Sequence, residues 1–190
     1  LEGAKLVCVV HTSNVLGVRN PLEEIIEASH QVGAKVLIDA AQGVPHSTVD
    51  FTRFGADFMA FSAHKMCGPT GIGALLVQPD VFEEMQPFMG GGDMIETVTT
   101  EGSTYQTNEH KFEAGTPRIA EAIGWSAALD WMETFDLDAE HTRLVNIASW
   151  VAEELRSMGM SVYGRHAEDD AAVVSFLHPT INSCLLYTSD

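Results

Sequence analysis

Three short apolar runs constrain the fold of this chain more than any other feature. They occupy residues 5–10, 35–38 and 57–61. Between the first two runs, residues 20–33 carry apolar side chains at the spacing of one helix face. Strands of a parallel sheet are buried on both faces and are joined by such crossovers. The order strand, helix, strand, crossover, strand therefore predicts an α/β protein with a mostly parallel sheet.

Local signals predict where the helices begin and end. Asn20 is predicted to be the N-cap of the first helix, with Pro21 at its first position and Glu23 three residues after the cap. Gly33 is predicted to end that helix. Asp80 is predicted to cap a short helix after the fourth strand.

Residues 72–176 contain further predicted strands and helices around one long loop. The apolar run 72–78 follows the third strand too closely for a parallel crossover, so we expect it to pair in an antiparallel direction. Residues 90–117 begin with three glycines and show little periodicity, which predicts a long loop that forms a site or an interface; a flexible excursion is the alternative. Further helices are predicted over 118–135 and 138–158, and strands of another sheet over 160–163 and 171–176.

The charge of the chain excludes some partners. There are 27 acidic and 10 basic residues, a net charge of −17, which argues against binding to nucleic acid or to anionic membranes. A surface adapted to a saline habitat is one explanation, and an ordinary acidic cytosolic protein is the one we favour. No apolar run approaches the roughly 20 residues that span a bilayer.

The ends and the cysteines suggest a cytoplasmic location. The chain begins without methionine or signal peptide and enters a strand almost at once, so we expect it to be the interior of a longer protein. Its three cysteines are widely spaced, which fits a reducing cytoplasm better than a disulfide framework. Cys8 and Cys67 are predicted to pack in the interior. No histidine spacing suggests a zinc site, so no metal is expected.

Each of the three predicted parallel strands ends in polar residues. The carboxyl ends of parallel strands meet at one edge of the sheet, and ligands of open α/β sheets bind outside that edge. Three clusters at one edge are better evidence for a site than any cluster alone. In chain order they are His11 and Asn14, then Asp39 and Gln42, then Ser62, His64 and Lys65.

The third cluster points to a covalent cofactor. Lys65, held in a partly desolvated place, could lose its proton and act as an amine nucleophile. Ser62 and His64 could bind an anion beside it, which indicates a Schiff base to pyridoxal 5′-phosphate. Asp39 could then keep the pyridine nitrogen protonated, and Gln42 could bond the phenolic oxygen. A surface lysine in a turn is the alternative reading of the spacing.

These residues lie in motifs that resemble a known family in the same order. The motifs are DAAQ at 39–42, SAHK at 62–65 followed by GPTGIG at 68–73, HTSNVLG at 11–17 and FEAGTP at 112–117. The chain resembles the class V aminotransferases, and is closest to the SUF-type cysteine desulfurases, whose branch includes selenocysteine lyases. Thr70 favours that branch, because the other desulfurase branch usually has lysine there. The resemblance extends from residue 1 to about residue 176.

The resemblance implies an architecture and an activity. The fold would be that of the fold-type-I transferases dependent on pyridoxal phosphate, with helices on both faces of the sheet. Residues 1–135 would be the carboxyl-terminal part of the cofactor-binding domain, 136–180 the beginning of a small α+β domain, and 181–190 a tail unlike the family. The protein would be a cytoplasmic homodimer that removes sulfur from L-cysteine, leaving L-alanine and an enzyme persulfide. A sulfur-acceptor protein would carry the sulfur toward iron–sulfur cluster assembly.

The resemblance also implies roles for individual residues. Lys65 would bind the cofactor covalently and later move protons. Asn14 would lie beside the cofactor and substrate, and Thr116 would reach the phosphate of the cofactor in the partner subunit. The other cofactor-binding residues keep the roles given above: Asp39, Gln42, Ser62 and His64.

Several family residues have no counterpart in this sequence, among them the ring-stacking histidine and the phosphate-loop residues of the amino-terminal part of the large domain. The persulfide cysteine and the arginine that binds the substrate carboxylate belong to a carboxyl-terminal segment beyond the resemblance, and Cys184 falls in the unlike tail. We therefore expect this chain alone to be inactive. The rival readings are another class V enzyme, such as a selenocysteine lyase, an epimerase or an aminotransferase, and an inactive scaffold that keeps the fold.

Overall fold

A four-stranded sheet forms the centre of the molecule. The computed structural model describes residues 2–164 and 170–188. The strands lie side by side in the order in which the chain makes them. They are β1 (Leu6–Val10), β2 (Lys35–Asp39), β3 (Phe58–Ser62) and β4 (Gly73–Val77).

The directions of the strands agree with the sequence. β1, β2 and β3 run parallel to one another, and β4 pairs with β3 in the antiparallel direction. The mostly parallel sheet and the antiparallel fourth strand are thus confirmed. The physical reason is the short connection between Ser62 and Gly73, which allows the chain to turn back beside β3 but not to cross over the sheet.

Six helices accompany the strands in the described part of the chain. Two single 3₁₀ turns occur as well, at Ala63–Lys65 and Glu109–Phe112. None of the described helices is long and apolar enough to cross a membrane. The α-helices are α1 (Leu22–His30), α2 (Phe51–Phe54), α3 (Pro79–Glu84), α4 (Ile119–Met132), α5 (Leu137–Ser157) and α6 (Ser183–Thr188).

Two predicted helix caps are wrong. Pro21 stands at the N-cap position of α1, which has no side-chain cap. The amide of Asn20 instead donates to the carbonyl oxygen of Val10 at 2.8 Å, and so joins the start of α1 to the end of β1. Asp80 lies inside the first turn of α3, and Gln78 precedes that helix. The proline that begins α3 fits there because its missing N–H would have had no intrahelical partner.

The hydrophobic core lies on one face of the sheet. α1 and α2 cover this face and contribute side chains to it. The opposite face carries Leu6, Val10 and Leu75, whose exposed fractions are 47%, 41% and 49%. The fully buried members of the core are Leu22, Ile26, Val36, Ile38, Ala40, Ala56 and Met59.

The stretch 90–117 contains a hairpin, contrary to the prediction of an unstructured loop. Its strands are β5 (Ile95–Val98) and β6 (Ser103–Tyr105), which pair in the antiparallel direction. The hydroxyls of Thr97 and Thr104 lie 2.6 Å apart across the pair. The strands are short and mostly exposed, so they lack the alternation of apolar and polar residues that reveals a half-buried strand.

A second small sheet follows α5. It pairs β7 (Ser161–Tyr163) with β8 (Ser175–Leu177) in the antiparallel direction. α5 packs near β7, and its buried residues lie on one face of the helix. The backbone of Ala171 donates to the carbonyl oxygen of Gly17 at 2.8 Å, which links this region to the loop after β1. The division into domains at residue 135 stays a prediction.

Candidate active site

The sheet brings two of the predicted site residues to one edge. In the parallel pairs, Val10 stands opposite Asp39, and Asp39 stands opposite Ala60. Ser62 is the last residue of β3, two positions after Ala60. The ends of β2 and β3 therefore present Asp39 and Ser62 on neighbouring strands, as the sequence predicted from the parallel order.

Asp39 is held through its backbone, and one of its two carboxylate oxygens accepts a hydrogen bond. Its carbonyl oxygen accepts the N–H of His11 at 2.7 Å, which ties the ends of β1 and β2 together. Its Oδ1 accepts the N–H of Ala41 at 3.0 Å. Across residues 2–164 and 170–188, no hydrogen bond engages the other carboxylate oxygen, and the side chain is exposed. One oxygen is thus available to a ligand.

The segment that carries Lys65 is held at both ends. Ala63 is fully buried; its N–H donates to the carbonyl oxygen of Ile72 at 3.2 Å, and its own carbonyl accepts from Met66 at 2.8 Å and from Gly68 at 3.0 Å. A side chain at Gly68 would lie 3.0 Å from that carbonyl and 3.0 Å from a neighbouring tryptophan, so the space around this glycine is tight.

The reactive side chains of this segment project from the 3₁₀ turn. His64 and Lys65 are exposed, and Ser62 is half-buried. The expectation of a partly desolvated lysine is therefore wrong for this chain, in which the side chain of Lys65 is exposed. The turn still places an amine, an imidazole and a hydroxyl next to one another in the chain, directly after β3.

The loop after β2 contains Gln42, which is half-buried. The N–H groups of Gly43 and Val44 both donate to the carbonyl oxygen of Ala40, at 2.9 Å and 3.1 Å. The loop is thus a tight hydrogen-bonded turn. Gln42 therefore lies in a turn three residues after Asp39, at the edge of the sheet predicted from the sequence.

His11 is the residue of this edge whose burial the sequence did not reveal. It is 1% exposed, and burial, with a smaller contribution from the positive charge of Arg19, lowers its pKa to about 4. Its Nδ1 lies 2.8 Å from Oγ1 of Thr12. The sequence predicted only a polar residue at the end of a strand. Only the structure shows that it is buried and neutral.

Two predicted residues lie outside the cluster at β2 and β3. Asn14 is exposed in the turn after β1. Thr116 is exposed and follows Gly115, whose N–H donates to the carbonyl oxygen of Gly92 at 2.9 Å. No hydrogen bond of the described chain joins either side chain to Asp39 or Lys65. Their roles toward a cofactor stay predictions.

The cysteines differ from the expectation. Cys8 and Cys67 were predicted to pack, yet both are exposed. Cys8 pairs with Leu37 and so points to the face of the sheet opposite the core, and Cys67 adopts a left-handed backbone with φ of 58°. In the described ranges, no group of three or more histidine, cysteine or acidic side chains could hold a metal ion.

Comparison with known sequences places the chain in its family. The family model of class-V aminotransferases matches residues 2–189. A cysteine desulfurase of Haloferax volcanii is 42% identical over 176 residues, which are 92% of this chain and 41% of the relative. The chain thus spans less than half the length of this curated relative.

Solved structures agree with the sequence match. The apo structure of a cysteine desulfurase from Thermococcus onnurineus NA1 has a TM-score of 0.88 and 37% identity, covering 97% of this chain and 47% of that one. A C-DES mutant with glycine covalently linked to its PLP cofactor has a TM-score of 0.76 and 25% identity, covering 90% and 46%. These likenesses confirm the predicted α/β fold class. With a family model that matches almost its whole length, the chain belongs to the class-V aminotransferase family.

Proposed function

We propose that this chain is the cofactor-binding part of a cysteine desulfurase. The enzyme would use pyridoxal 5′-phosphate to remove sulfur from L-cysteine, giving L-alanine and an enzyme-bound persulfide. One observation carries the proposal: Asp39 ends a strand beside the strand that delivers Ser62 and Lys65. The relative from Haloferax volcanii, which bears the name cysteine desulfurase, supports the activity.

The donor set fits this cofactor. The uncommitted carboxylate oxygen of Asp39 can accept a hydrogen bond from a protonated pyridine nitrogen. The hydroxyl of Ser62 and the imidazole of His64 can donate to a phosphate, and both lie within three residues of the Lys65 amine. Gln42 can donate its amide to an oxygen on the ring. A carboxylate, an amine and hydrogen-bond donors for a phosphate are therefore all available for pyridoxal 5′-phosphate.

The mechanism assigns separate tasks to these side chains. When bound, pyridoxal 5′-phosphate supplies an electron sink that weakens bonds at the substrate carbon attached to it. Asp39 would stabilise positive charge on the pyridine ring, and Gln42 would bond the phenolic oxygen. The amine of Lys65 would hold the cofactor and, when free, would be able to carry a proton to or from the substrate.

The remaining parts of the reaction would come from elsewhere in the protein. We infer a homodimer in which Thr116 contributes to the phosphate site of the partner, with Asn14 beside the substrate. A persulfide cysteine outside this chain would hold the sulfur and pass it to an acceptor protein for iron–sulfur cluster assembly. A reducing cytoplasm suits a cysteine that must stay a thiolate.

Covalent labelling tests the cofactor site. The chain is incubated with pyridoxal 5′-phosphate, reduced with sodium borohydride, and digested for mass spectrometry. We expect the pyridoxyl group on Lys65, one of four lysines. Lys65→Ala should abolish the label. The matched control is Lys5→Ala, which changes an exposed lysine just before β1, at the opposite edge of the sheet, and should keep the label.

The outcome separates the proposal from its rivals. A label that moves to another lysine, or that survives in Lys65→Ala, would refute the assignment of the site. Joined to the segment predicted to carry the persulfide cysteine, the protein should convert L-cysteine to L-alanine and sulfide. Amino-group transfer or inversion of an amino acid, without sulfide, would instead favour an aminotransferase or an epimerase.

A further inference from the structure

His11 lies beneath the turn that joins Asp39 to Gln42. Its backbone N–H donates to the carbonyl oxygen of Asp39 at 2.7 Å, and its side chain is 1% exposed. The imidazole therefore fills the space between the end of β1 and the turn of residues 40–43. The residue roles given under the proposed function do not include this imidazole.

The ring touches the backbone of this turn. A Cβ built on Gly43 would lie 2.5 Å from Nδ1 of His11 and 2.7 Å from its Cγ, closer than carbon atoms approach in proteins. Gly43 has no left-handed backbone, so its lack of a side chain serves space rather than conformation. The backbone at Gly43 thus packs so closely against the ring that a side chain at position 43 would collide with it.

The ring itself cannot shift easily. Phe54 of α2 meets it edge to face, with ring centroids 5.8 Å apart. Thr12 holds Nδ1 through its hydroxyl at 2.8 Å. In the part of the chain that the structure describes, Nε2 is buried without a hydrogen-bond partner. A polar atom without a partner costs free energy, so the ring contributes here by its volume and position.

We propose that His11 is a positioning residue: its ring supports the turn of residues 40–43 and thereby holds Gln42 in place relative to Asp39. The inference rests on the proposed function only for what Gln42 and Asp39 would bind. The effect on the turn itself is a property of the chain without ligand. The low pKa agrees with this role, because a neutral ring can stay buried at physiological pH.

Amide hydrogen exchange tests the effect on the turn. The reporters are the N–H groups of Gly43 and Val44, which both bond to Ala40. His11→Ala should speed their exchange by about tenfold, while the amides of α1 keep their rates. His11→Leu, which keeps the volume, should leave the rates within about threefold. His11→Asn, which keeps a polar atom near Nδ1 but loses the ring, should behave like His11→Ala.

A stability control separates the local effect from general weakening. Val36→Ala removes buried volume from the amino-terminal half of β2, away from the turn. Val36→Ala should lower the melting temperature as His11→Ala does. The amides of Gly43 and Val44 should not exchange faster in it relative to the amides of α1. Unchanged exchange at the turn in His11→Ala, or equal acceleration in Val36→Ala, would overturn the proposal.

Titration with pyridoxal 5′-phosphate then connects the turn to the site. In each variant we measure the dissociation constant and the absorption maximum of the bound cofactor. His11→Ala should weaken binding by about tenfold and shift the maximum, whereas His11→Leu and Val36→Ala should match the unsubstituted chain. Full loss of binding in His11→Leu with a protected turn would mean that the imidazole contacts the ligand directly, and would refute a positioning role. If the unsubstituted chain binds no cofactor but exchange behaves as expected, the proposed function fails and the support of the turn stands.

Discussion

At the scale of single residues, a carboxylate with three partners lies at the end of the sheet opposite the candidate site. Asp57 is 6% exposed and immediately precedes β3. Its Oδ2 accepts from the N–H of Val36 at 2.7 Å and lies 2.8 Å from Nε2 of His30, and its Oδ1 pairs with Nζ of Lys35 at 3.0 Å. One carboxylate therefore joins α1, β2 and β3.

This carboxylate makes stability depend on pH. Burial raises the pKa of Asp57, but hydrogen bonds from His30, Val36 and Lys35 outweigh it and hold the pKa below the ordinary value. A carboxyl whose pKa is lower in the folded state stabilises the protein above its unfolded pKa of about 4, and loses this contribution as the pH falls through its folded value. Asp57→Asn should cost about 1–3 kcal/mol near neutral pH, because the amide cannot accept from all three donors.

Thermal unfolding between neutral and acidic pH measures the effect of Asp57→Asn. The difference in melting temperature between the two proteins should be largest near neutral pH and should shrink below about pH 4. Asp130→Asn, which changes an exposed carboxylate on α4, provides the control and should leave the profile unaltered. A pH-independent difference for Asp57→Asn would show that its charge is unimportant.

At the scale of elements, sequence patterns predicted the strands that consist mostly of apolar residues. β1, β2 and β3 were predicted because apolar runs mark the strands of a parallel sheet. The direction of β4 was predicted from the short connection that precedes it. β5 and β6 were missed because threonines form their cross-strand pair and little of them is buried.

For the candidate site, the sequence predicted where residues lie along the sheet but not how exposed they are. Asp39 and Ser62 could be placed at one edge because the parallel order fixes where strands end. The exposure of Lys65 could not, because it depends on what covers that edge. The contact of His11 with Gly43 joins residues far apart in sequence, so no local spacing reveals it.

The cap of α5 gives a prediction at this scale. Asp136 precedes the helix, and its Oδ1 accepts the N–H of Ala139 at 3.0 Å. Asp136→Ala should destabilise the protein by about 1 kcal/mol, since the first turn loses a partner for one of its free N–H groups. Asp138→Ala removes an acidic residue from the same turn but no cap, and should cost less. Chemical denaturation measures both, and equal losses would mean that charge at the helix start matters rather than the cap.

At the scale of the whole molecule, charge sets the response to salt. The chain has 27 acidic and 10 basic residues, and so a net charge of −17. The mutual repulsion of the acidic residues opposes the compact state and is screened by dissolved ions. Raising potassium chloride from about 0.05 M to about 1 M should therefore raise the melting temperature.

Scanning calorimetry across this range checks the effect of salt. Sucrose serves as the control, because it stabilises by exclusion from the surface without screening charge. The melting temperature should rise most steeply at low salt concentration, where the screening length changes most. A melting temperature that falls as salt is added would contradict both the repulsion argument and any adaptation of the surface to saline conditions.

The order of the main sheet has a consequence for how the chain acquires its structure. Because β1 to β4 lie side by side in the order of synthesis, each strand can pair with the one made just before it. The pairings therefore close short loops, which keeps the contact order of this sheet low and its assembly fast for a parallel architecture. During translation, the pairings among these four strands can therefore form one after another as the chain leaves the ribosome.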